Sequence, residues 1–201
     1  MDLDKRDQFL IAMYSELWGN INRSITVSWQ AIAVLAGSVA TLKLVGDGGM
    51  LADFTVALLA VVVTWQMCHV FDSNSWFSRN QGIISNIERQ FLVKDDVKEI
   101  LPYFAMAHRP PDRLLHHFRL HSLLGVGVMF IALLYHFVLR VVPGFGLSCK
   151  YFDPLRALPY IVTFICLFYG SNFRSELRAN LNDFNDLSPG KELDFVNKFV
   201  D

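Results

Sequence analysis

The stretch LADFTVALLAVVVTWQMCHVF, residues 51 to 71, decides the fold class of this chain. Its only Asp, Glu, Lys or Arg is Asp53, which lies close to its beginning. A helix needs about 20 mostly apolar residues to cross a hydrocarbon layer of roughly 30 Å, and this run has that length. We therefore predict that residues 51–71 form a transmembrane helix.

Three further runs have a comparable apolar character. They are Ile25 to Val45, Leu120 to Leu139 between Arg119 and Arg140, and Leu155 to Asn172, which contains Pro159 in its first turn. Only 18% of the residues are charged, against about 25% in an average soluble domain. Buried helices of a soluble bundle are the alternative, which long uncharged runs disfavour. The sequence thus predicts an all-α integral membrane protein with about four transmembrane helices and cytoplasmic amphipathic helices.

The predicted segments alternate between membrane and cytoplasm. We expect Leu3 to Ser24 to form an amphipathic helix that bends into the first span, and Val97 to Phe104 to form a short separate helix. Asp112 is predicted to cap a helix that continues into the third span, and Ser188 to Gly190 to end the last helix before an amphipathic end at 193–200. The predicted boundaries are a cytoplasmic amphipathic helix at 1–24, a transmembrane hairpin at 25–71, a cytoplasmic helical segment at 72–118, a second transmembrane hairpin at 119–172 and a cytoplasmic tail at 173–201.

The distribution of basic residues predicts the orientation. Cytoplasmic flanks of membrane proteins are enriched in lysine and arginine. Fourteen of the eighteen lysine and arginine residues lie in the N-terminal segment, the central segment up to Arg119 and the tail, whereas Lys43, Arg140, Lys150 and Arg156 lie on the other side. We therefore expect both termini in the cytoplasm, and a location in the bacterial inner membrane.

One polar face stands out in the second span and its extension. The residues at helical spacing are Gln66, His69, Ser73, Trp76 and Asn80. Lipid offers no hydrogen-bond partners, so such a face contacts protein or water. It either lines a pore in an oligomer or joins helices through polar contacts, and Gln30 of the first span could meet Gln66 in both cases. These alternatives make Gln30, Gln66, His69, Ser73 and Asn80 the predicted pore or inter-helix residues.

Basic and amide side chains are dense just after the second span. The stretch WFSRNQGIISNIERQFL, residues 76 to 92, and the later turn at 109–113 supply them. Arginine binds phosphate or carboxylate groups with a bidentate fork, although pairing within the protein is the alternative. The predicted partner or ligand-binding residues are Arg79, Asn86, Glu88, Arg89, Arg109 and Arg113.

Two further chemistries are weighed at the histidine-rich stretch before the third span. His117 and His121 have a spacing compatible with zinc ligands on one helix, but no nearby residue completes a ligand set. Arg109 and His116 have the spacing of HEPN ribonucleases, but prolines follow Arg109 directly. A basic collar at the membrane surface explains this stretch better. We therefore expect no metal and no catalytic residue here.

No other feature indicates an enzyme or a carrier. Nucleotide-binding, hydrolase and zinc-protease motifs are absent from the sequence. The middle of each predicted span holds no Asp, Glu, Lys or Arg, which argues against a proton-coupled transporter. His136 near the outer end of the third span is interpreted as reaching the interface. We expect no enzymatic activity, no cofactor and no nucleic-acid partner.

An amphipathic N-terminal helix, paired spans and inner helical segments resemble the layout of SLATT-type effectors of bacterial phage defence. A four-span subunit with inner termini also resembles the membrane component of the Kiwa system. The resemblance covers layout alone, implies pore formation or defence signalling, and carries over no functional residue.

Two functions follow as hypotheses. The first is a homo-oligomeric pore-forming or membrane-perturbing effector that is gated through its cytoplasmic helices, because one four-span chain is too small to enclose a conduit. The second is a non-conducting membrane anchor or sensor that recruits a cytoplasmic partner protein. In both cases the lipid bilayer is a partner.

Overall fold

The computed structural model describes residues 3–42, 49–92, 96, 108–146 and 153–189. Within these ranges the chain is helical and contains no strand. The long helices are α1 (Leu3–Leu42), α2 (Gly49–Phe91), α3 (His116–His136) and α4 (Leu158–Leu187). A π-type turn at Phe137–Val141 and a 3-10 helix at Val142–Gly146 follow α3, and a second 3-10 helix at Pro154–Ala157 precedes α4.

Helix α1 runs for 40 residues without a break, so the predicted bend after Ser24 is wrong. No proline interrupts this stretch. The hydroxyls of Ser24 and Thr26 donate to the backbone carbonyls of Asn20 and Asn22, each at 3.0 Å. Both hydroxyls therefore bond to the backbone of the same helix, four residues back.

Helix α2 joins the apolar run at 51–71 and the polar stretch that follows in a single helix of 43 residues. The helix is longer than a bilayer requires, because about 20 residues already cross the hydrocarbon core. The next predicted helix, Val97 to Phe104, and the amphipathic end at 193–200 lie outside the described residues. At the other end of the chain, α4 ends at Leu187, directly before the predicted break at Ser188.

The start of α3 differs from the prediction. Its N-cap is Leu115, whose extended backbone (φ −60°, ψ 151°) separates the helix from Asp112. The predicted turn is present, because the N–H of Arg113 donates to the carbonyl of Pro110 at 3.0 Å. Asp112 forms an ion pair with Arg178 and does not cap α3. The carboxylate is therefore used in a tertiary contact.

Among the residues that the structure describes, three helical stretches are long and apolar enough to cross a membrane: Gly49–Phe91, His116–Gly144 and Pro154–Leu187. They contain the predicted second, third and fourth spans. The predicted first span, Ile25 to Val45, lies in α1 as far as Leu42, and its last residues, 43–45, lie outside the described part.

The chain divides into two compact units. Unit 1 comprises residues 1–27, 72–114 and 176–201, and unit 2 comprises residues 28–71 and 115–175. The core of unit 2 is apolar and includes Leu35, Val56, Leu59, Val63 and Met129. Unit 1 buries Leu17, Ile21, Phe77, Ile84 and Leu181, but it also buries many small polar side chains of α2, among them Ser75, Ser78, Asn80, Gln81 and Ser85.

Candidate functional site

The strongest polar site of unit 2 is centred on Asp53. This residue lies in the second turn of α2 and is completely buried. Arg140 donates to both carboxylate oxygens, from Nε at 3.1 Å and from Nη2 at 2.9 Å. Two parallel bonds of this kind form the bidentate geometry in which arginine holds a carboxylate most firmly. An ionised carboxylate is thus accommodated in an otherwise apolar helix.

His136 completes the surroundings of Asp53. Its Nε2 lies 2.8 Å from Oδ1 of Asp53, and its Nδ1 lies 3.1 Å from the hydroxyl of Tyr160. An ionised carboxylate only accepts hydrogen bonds, so Nε2 carries a proton and donates to it. A neutral imidazole then accepts the Tyr160 proton at Nδ1, and both ring nitrogens are satisfied. We call Asp53, His136, Arg140 and Tyr160 the Asp53 cluster.

Local structure positions the cationic side of the cluster. His136 is the last residue of α3, and Arg140 lies in the π-type turn Phe137–Val141 that follows. Wide helical turns of this kind change the direction of side chains and are frequent at functional sites. His136 and Arg140 are four residues apart, and together with the wide turn this spacing directs both side chains to the Asp53 carboxylate.

A second carboxylate extends the cluster. Oδ2 of Asp153 lies 3.6 Å from Arg140 and 3.9 Å from Arg156. Its Oδ1 accepts a hydrogen bond from the N–H of Leu155 at 3.1 Å and so caps the 3-10 helix at Pro154–Ala157. Asp53 and Asp153 thus face the guanidinium groups of Arg140 and Arg156. Charges away from water need such partners, because an unpaired one is costly there.

The described residues contain no group of three or more His, Cys, Asp or Glu side chains that could hold a metal ion. Around Asp53 the available partners are an arginine, an imidazole and a phenol. The arrangement can therefore hold charge and hydrogen bonds between helices, and can break them when one member changes protonation or position. His117 and His121, weighed above as zinc ligands, pack edge to face with ring centres 6.2 Å apart.

The five residues of the predicted polar face differ in burial. Gln66, Ser73 and Asn80 are buried, His69 is half-buried against Trp65 with ring centres 4.5 Å apart, and Gln30 is exposed. Gln30 makes no hydrogen bond with Gln66, whose Nε2 instead donates to the carbonyl of His121 at 3.3 Å. Three of the five predicted residues are thus enclosed within one protomer.

Gln66 fits against a glycine of α3. A Cβ atom on Gly125 would lie 2.5 Å from Oε1 of Gln66, so any larger residue there requires the Gln66 amide to move. The contact lies beside Trp29 and His121, whose rings pack edge to face at 5.1 Å. Small residues let apolar helices approach closely, and polar side chains then join them. Gln66 therefore forms an inter-helix contact in unit 2.

The predicted partner residues of unit 1 lie in two groups. Arg79 lies over the rings of Trp76 and Phe184, at 5.4 and 5.6 Å. Asn86 donates to Ser188 at 2.9 Å, and Arg89 bonds Asn86 and Ser85 at 3.3 and 3.1 Å. These arginines are half-buried by their contacts within the chain.

The other predicted partner residues are placed separately. Glu88 accepts a hydrogen bond from the hydroxyl of Tyr14 at 3.3 Å. Asn185 donates to the carbonyl of Arg109 at 3.1 Å, while Arg113 is exposed. Arg109 precedes α3, which begins at His116, so the two residues of the ribonuclease spacing do not share a helix.

The Asp53 cluster was not predicted from the sequence. His136 was expected to reach the interface, whereas it is only 1% exposed and bonded on both ring nitrogens. A signal was present in the sequence. Asp53 opens the second span, and His136 and Arg140 close the third, so an acid and two bases were predicted at the same membrane side.

Comparison with protein-family models, with curated proteins and with solved structures finds no match to this chain.

Proposed function

We propose that this chain is a four-span protein of a bacterial plasma membrane that assembles with copies of itself and forms a gated pore. Its termini and unit 1 lie in the cytoplasm, where the inner helices receive a signal, and the described conformation is the closed one. Three candidate spans and the fourteen-to-four division of basic residues support this arrangement. The limits of unit 2 also lie close to the predicted membrane boundaries.

The observation that carries the proposal is the complete burial of the Asp53 carboxylate between helices. Ionisable residues inside spans are costly and usually functional. The cluster joins the beginning of α2, the end of α3 and the beginning of α4 through side chains alone. Removing one partner weakens the stabilisation of the charge that remains. Hydration of that charge then favours separation of the helix ends.

An oligomer is required because the polar side chains of one protomer are not arranged around a conduit. Gln66 and Ser73 are buried, whereas the exposed side chains of α3 and α4 are large and apolar, such as Phe130, Ile131, Phe164 and Phe168. Opening must therefore rearrange the helices and bring polar groups to an interface between copies. A role in phage defence, as the layout resemblance implies, is the setting in which such a regulated pore is useful.

Dye release from vesicles tests the proposal. Purified wild-type protein should leave vesicles tight, whereas Asp53→Asn should release dye, because Arg140 then loses its bidentate carboxylate and keeps only Asp153 at 3.6 Å. Asp183→Asn, an exposed acid of α4, is the matched control and should behave as the wild type. Tyr160→Phe is a milder variant that keeps the ion pair and should release less dye.

Helix content and elution volume in detergent establish that each variant is folded before the assay. The pore proposal fails if vesicles stay tight with folded Asp53→Asn protein over pH 5 to 8 and with a membrane potential of either sign.

A non-conducting anchor or sensor is the second candidate. The observation that favours it is the burial of Gln66, Ser73 and Asn80 within one protomer, which suits structural contacts. It predicts tight vesicles together with a soluble partner that co-purifies at fixed stoichiometry. Replacing Arg79 and Arg89 by glutamine should release that partner, while Arg23→Gln, at an exposed basic residue outside the predicted set, should not.

A further inference from the structure

An apolar groove lies in unit 2 between α2, α3 and α4. Its volume is about 440 Å³, and its walls include Ala60, Thr64, Met129, Leu133 and Gly170. Pockets of roughly 300–1,000 Å³ are typical of sites that take small molecules. Phe130 and Leu167 line the groove but are 64% and 67% exposed, so the groove is open along its side.

The groove has one charged lining residue, Arg174, with Ser171 beside it. The guanidinium of Arg174 lies 5.2 Å from the centre of the Phe71 ring. Among the described residues, no carboxylate lies within 4 Å of Arg174 to form an ion pair with it. Its positive charge is therefore available to an anion.

The length of the groove matches one leaflet of a bilayer. From Ala60 to Phe71 on α2, and from Thr163 to Arg174 on α4, the helical rise is roughly 16 Å. This is about half of a hydrocarbon core of roughly 30 Å. If the far end of the groove lies at the midplane, Arg174 lies at the depth of the headgroups on its side. A membrane phospholipid is the ligand whose apolar and anionic parts have this spacing.

We propose that the groove binds one acyl chain of an anionic phospholipid, with the phosphate on Arg174. The planar fork of arginine suits phosphate oxygens, and the Ser171 hydroxyl can donate to the same headgroup. Entry from the bilayer is direct because the side of the groove is open. The proposal rests on membrane location and is independent of whether the spans conduct.

Native mass spectrometry of the full chain in detergent tests this site, with phosphatidylglycerol and phosphatidylcholine of equal chain length as probes. The wild type should retain one phosphatidylglycerol in preference to phosphatidylcholine. Arg174→Gln should reduce this preference about fivefold, the effect expected of one basic group at an anionic surface, and Arg174→Lys should restore most of it. Arg119→Gln, an exposed residue outside the groove, should leave the preference unchanged.

A second variant tests the groove itself. A Cβ on Gly170 meets only Thr64, at 3.9 Å, so leucine is tolerated by the backbone but its branched end must enter the groove. Gly170→Leu should lose both lipids. Gly127→Leu is the matched control, because a Cβ there meets nothing within 4 Å.

Three results would overturn the proposal. The first is Gly170→Leu protein that keeps lipid as the wild type does, and the second is wild-type protein that binds the two lipids equally. The third is a dimer that Gly170→Leu disrupts while lipid adducts are absent, which would assign the groove to a second copy of the chain.

Discussion

Asp53 and Arg140 are 87 residues apart in sequence, yet the arginine holds the carboxylate through two hydrogen bonds of 2.9 and 3.1 Å. This pair connects the second turn of α2 with the π-type turn after α3. Asp53 has no exposed surface, so its charge depends on Arg140 and His136 for stabilisation.

Breaking this ion pair on one side should destabilise the fold strongly. Removing one partner of a buried pair typically costs about 3–5 kcal/mol. Arg140→Gln leaves the buried Asp53 carboxylate with His136 alone, whereas Asp53→Asn leaves Arg140 beside Asp153 at 3.6 Å and should cost less. Asp53→Asn and Arg140→Gln should each lower the midpoint of thermal unfolding in detergent. The double variant should cost less than the sum of the two single effects. Additive effects would mean that the two side chains do not depend on each other.

Gly125 should not tolerate a side chain. A Cβ there would approach Oε1 of Gln66 to 2.5 Å, and Gln66 is buried and bonded to the carbonyl of His121. Gly125→Ala should destabilise the chain by about 1–3 kcal/mol, the usual cost of overpacking. Gly127→Ala is the control and should have little effect, because its Cβ would lie in open space. Combining Gly125→Ala with Gln66→Ala should recover part of the loss, and no recovery would contradict this explanation.

The sequence alone was sufficient for the helical class and for three candidate spans, because long uncharged runs have few other stable structures. It failed where tertiary contacts decide. Asp112 was predicted to cap α3, but it pairs with Arg178 of α4, and α3 begins only at His116. An aspartate before a helix can serve as a cap or in a tertiary ion pair, and its position in the sequence does not tell which role is used.

The Asp53 cluster illustrates the same limit at the candidate site. Each member could be seen at a span end, where a charged or polar side chain usually reaches water. Their contacts depend on the packing of α2 against α3 and on the π-type turn that contains Arg140. No residue type in the sequence predicts that turn. The acid and the bases could have been matched only by comparing the outer ends of different spans.

His108 should make the stability of unit 1 depend on pH. Its Nε2 lies 2.6 Å from the Ser188 hydroxyl, and its ring stacks on Phe184. Burial and then the nearby Arg89 guanidinium lower the pKa of His108 below its ordinary value of 6.5. The unfolded chain therefore takes up this proton first as the pH falls below about 6.5, and the free energy of unfolding decreases there.

Thermal unfolding from pH 8 to pH 5 measures this effect as the difference between the wild type and His108→Gln. The difference in melting temperature should be constant above about pH 7. On acidification the melting temperature of the wild type should fall more than that of the variant. His116→Gln, an exposed histidine, serves as the control and should follow the wild-type pH profile. Parallel profiles of the wild type and His108→Gln would rule out the proposed linkage.

The side of the membrane on which the N-terminus lies shows whether α1 crosses the membrane. The three candidate spans place residue 49 and the end of α4 on opposite sides whether or not α1 spans. With a fourth span at 25–45 the N-terminus lies on the same side as the C-terminus, and without it the two ends lie on opposite sides. A reporter that is active only in the cytoplasm, fused in turn to each end, distinguishes these topologies.

We expect activity from both fusions, because the apolar half of α1 and the basic residues Lys5, Arg6 and Arg23 before it favour insertion with the N-terminus inside. Replacing those three residues by glutamate should weaken or invert the orientation of the first hairpin. Asp2, Asp4 and Asp7 replaced by asparagine form the control, since acidic residues contribute little to orientation. An active C-terminal fusion with an inactive N-terminal fusion would reduce the protein to three spans, with the α1 helix left on the outer side.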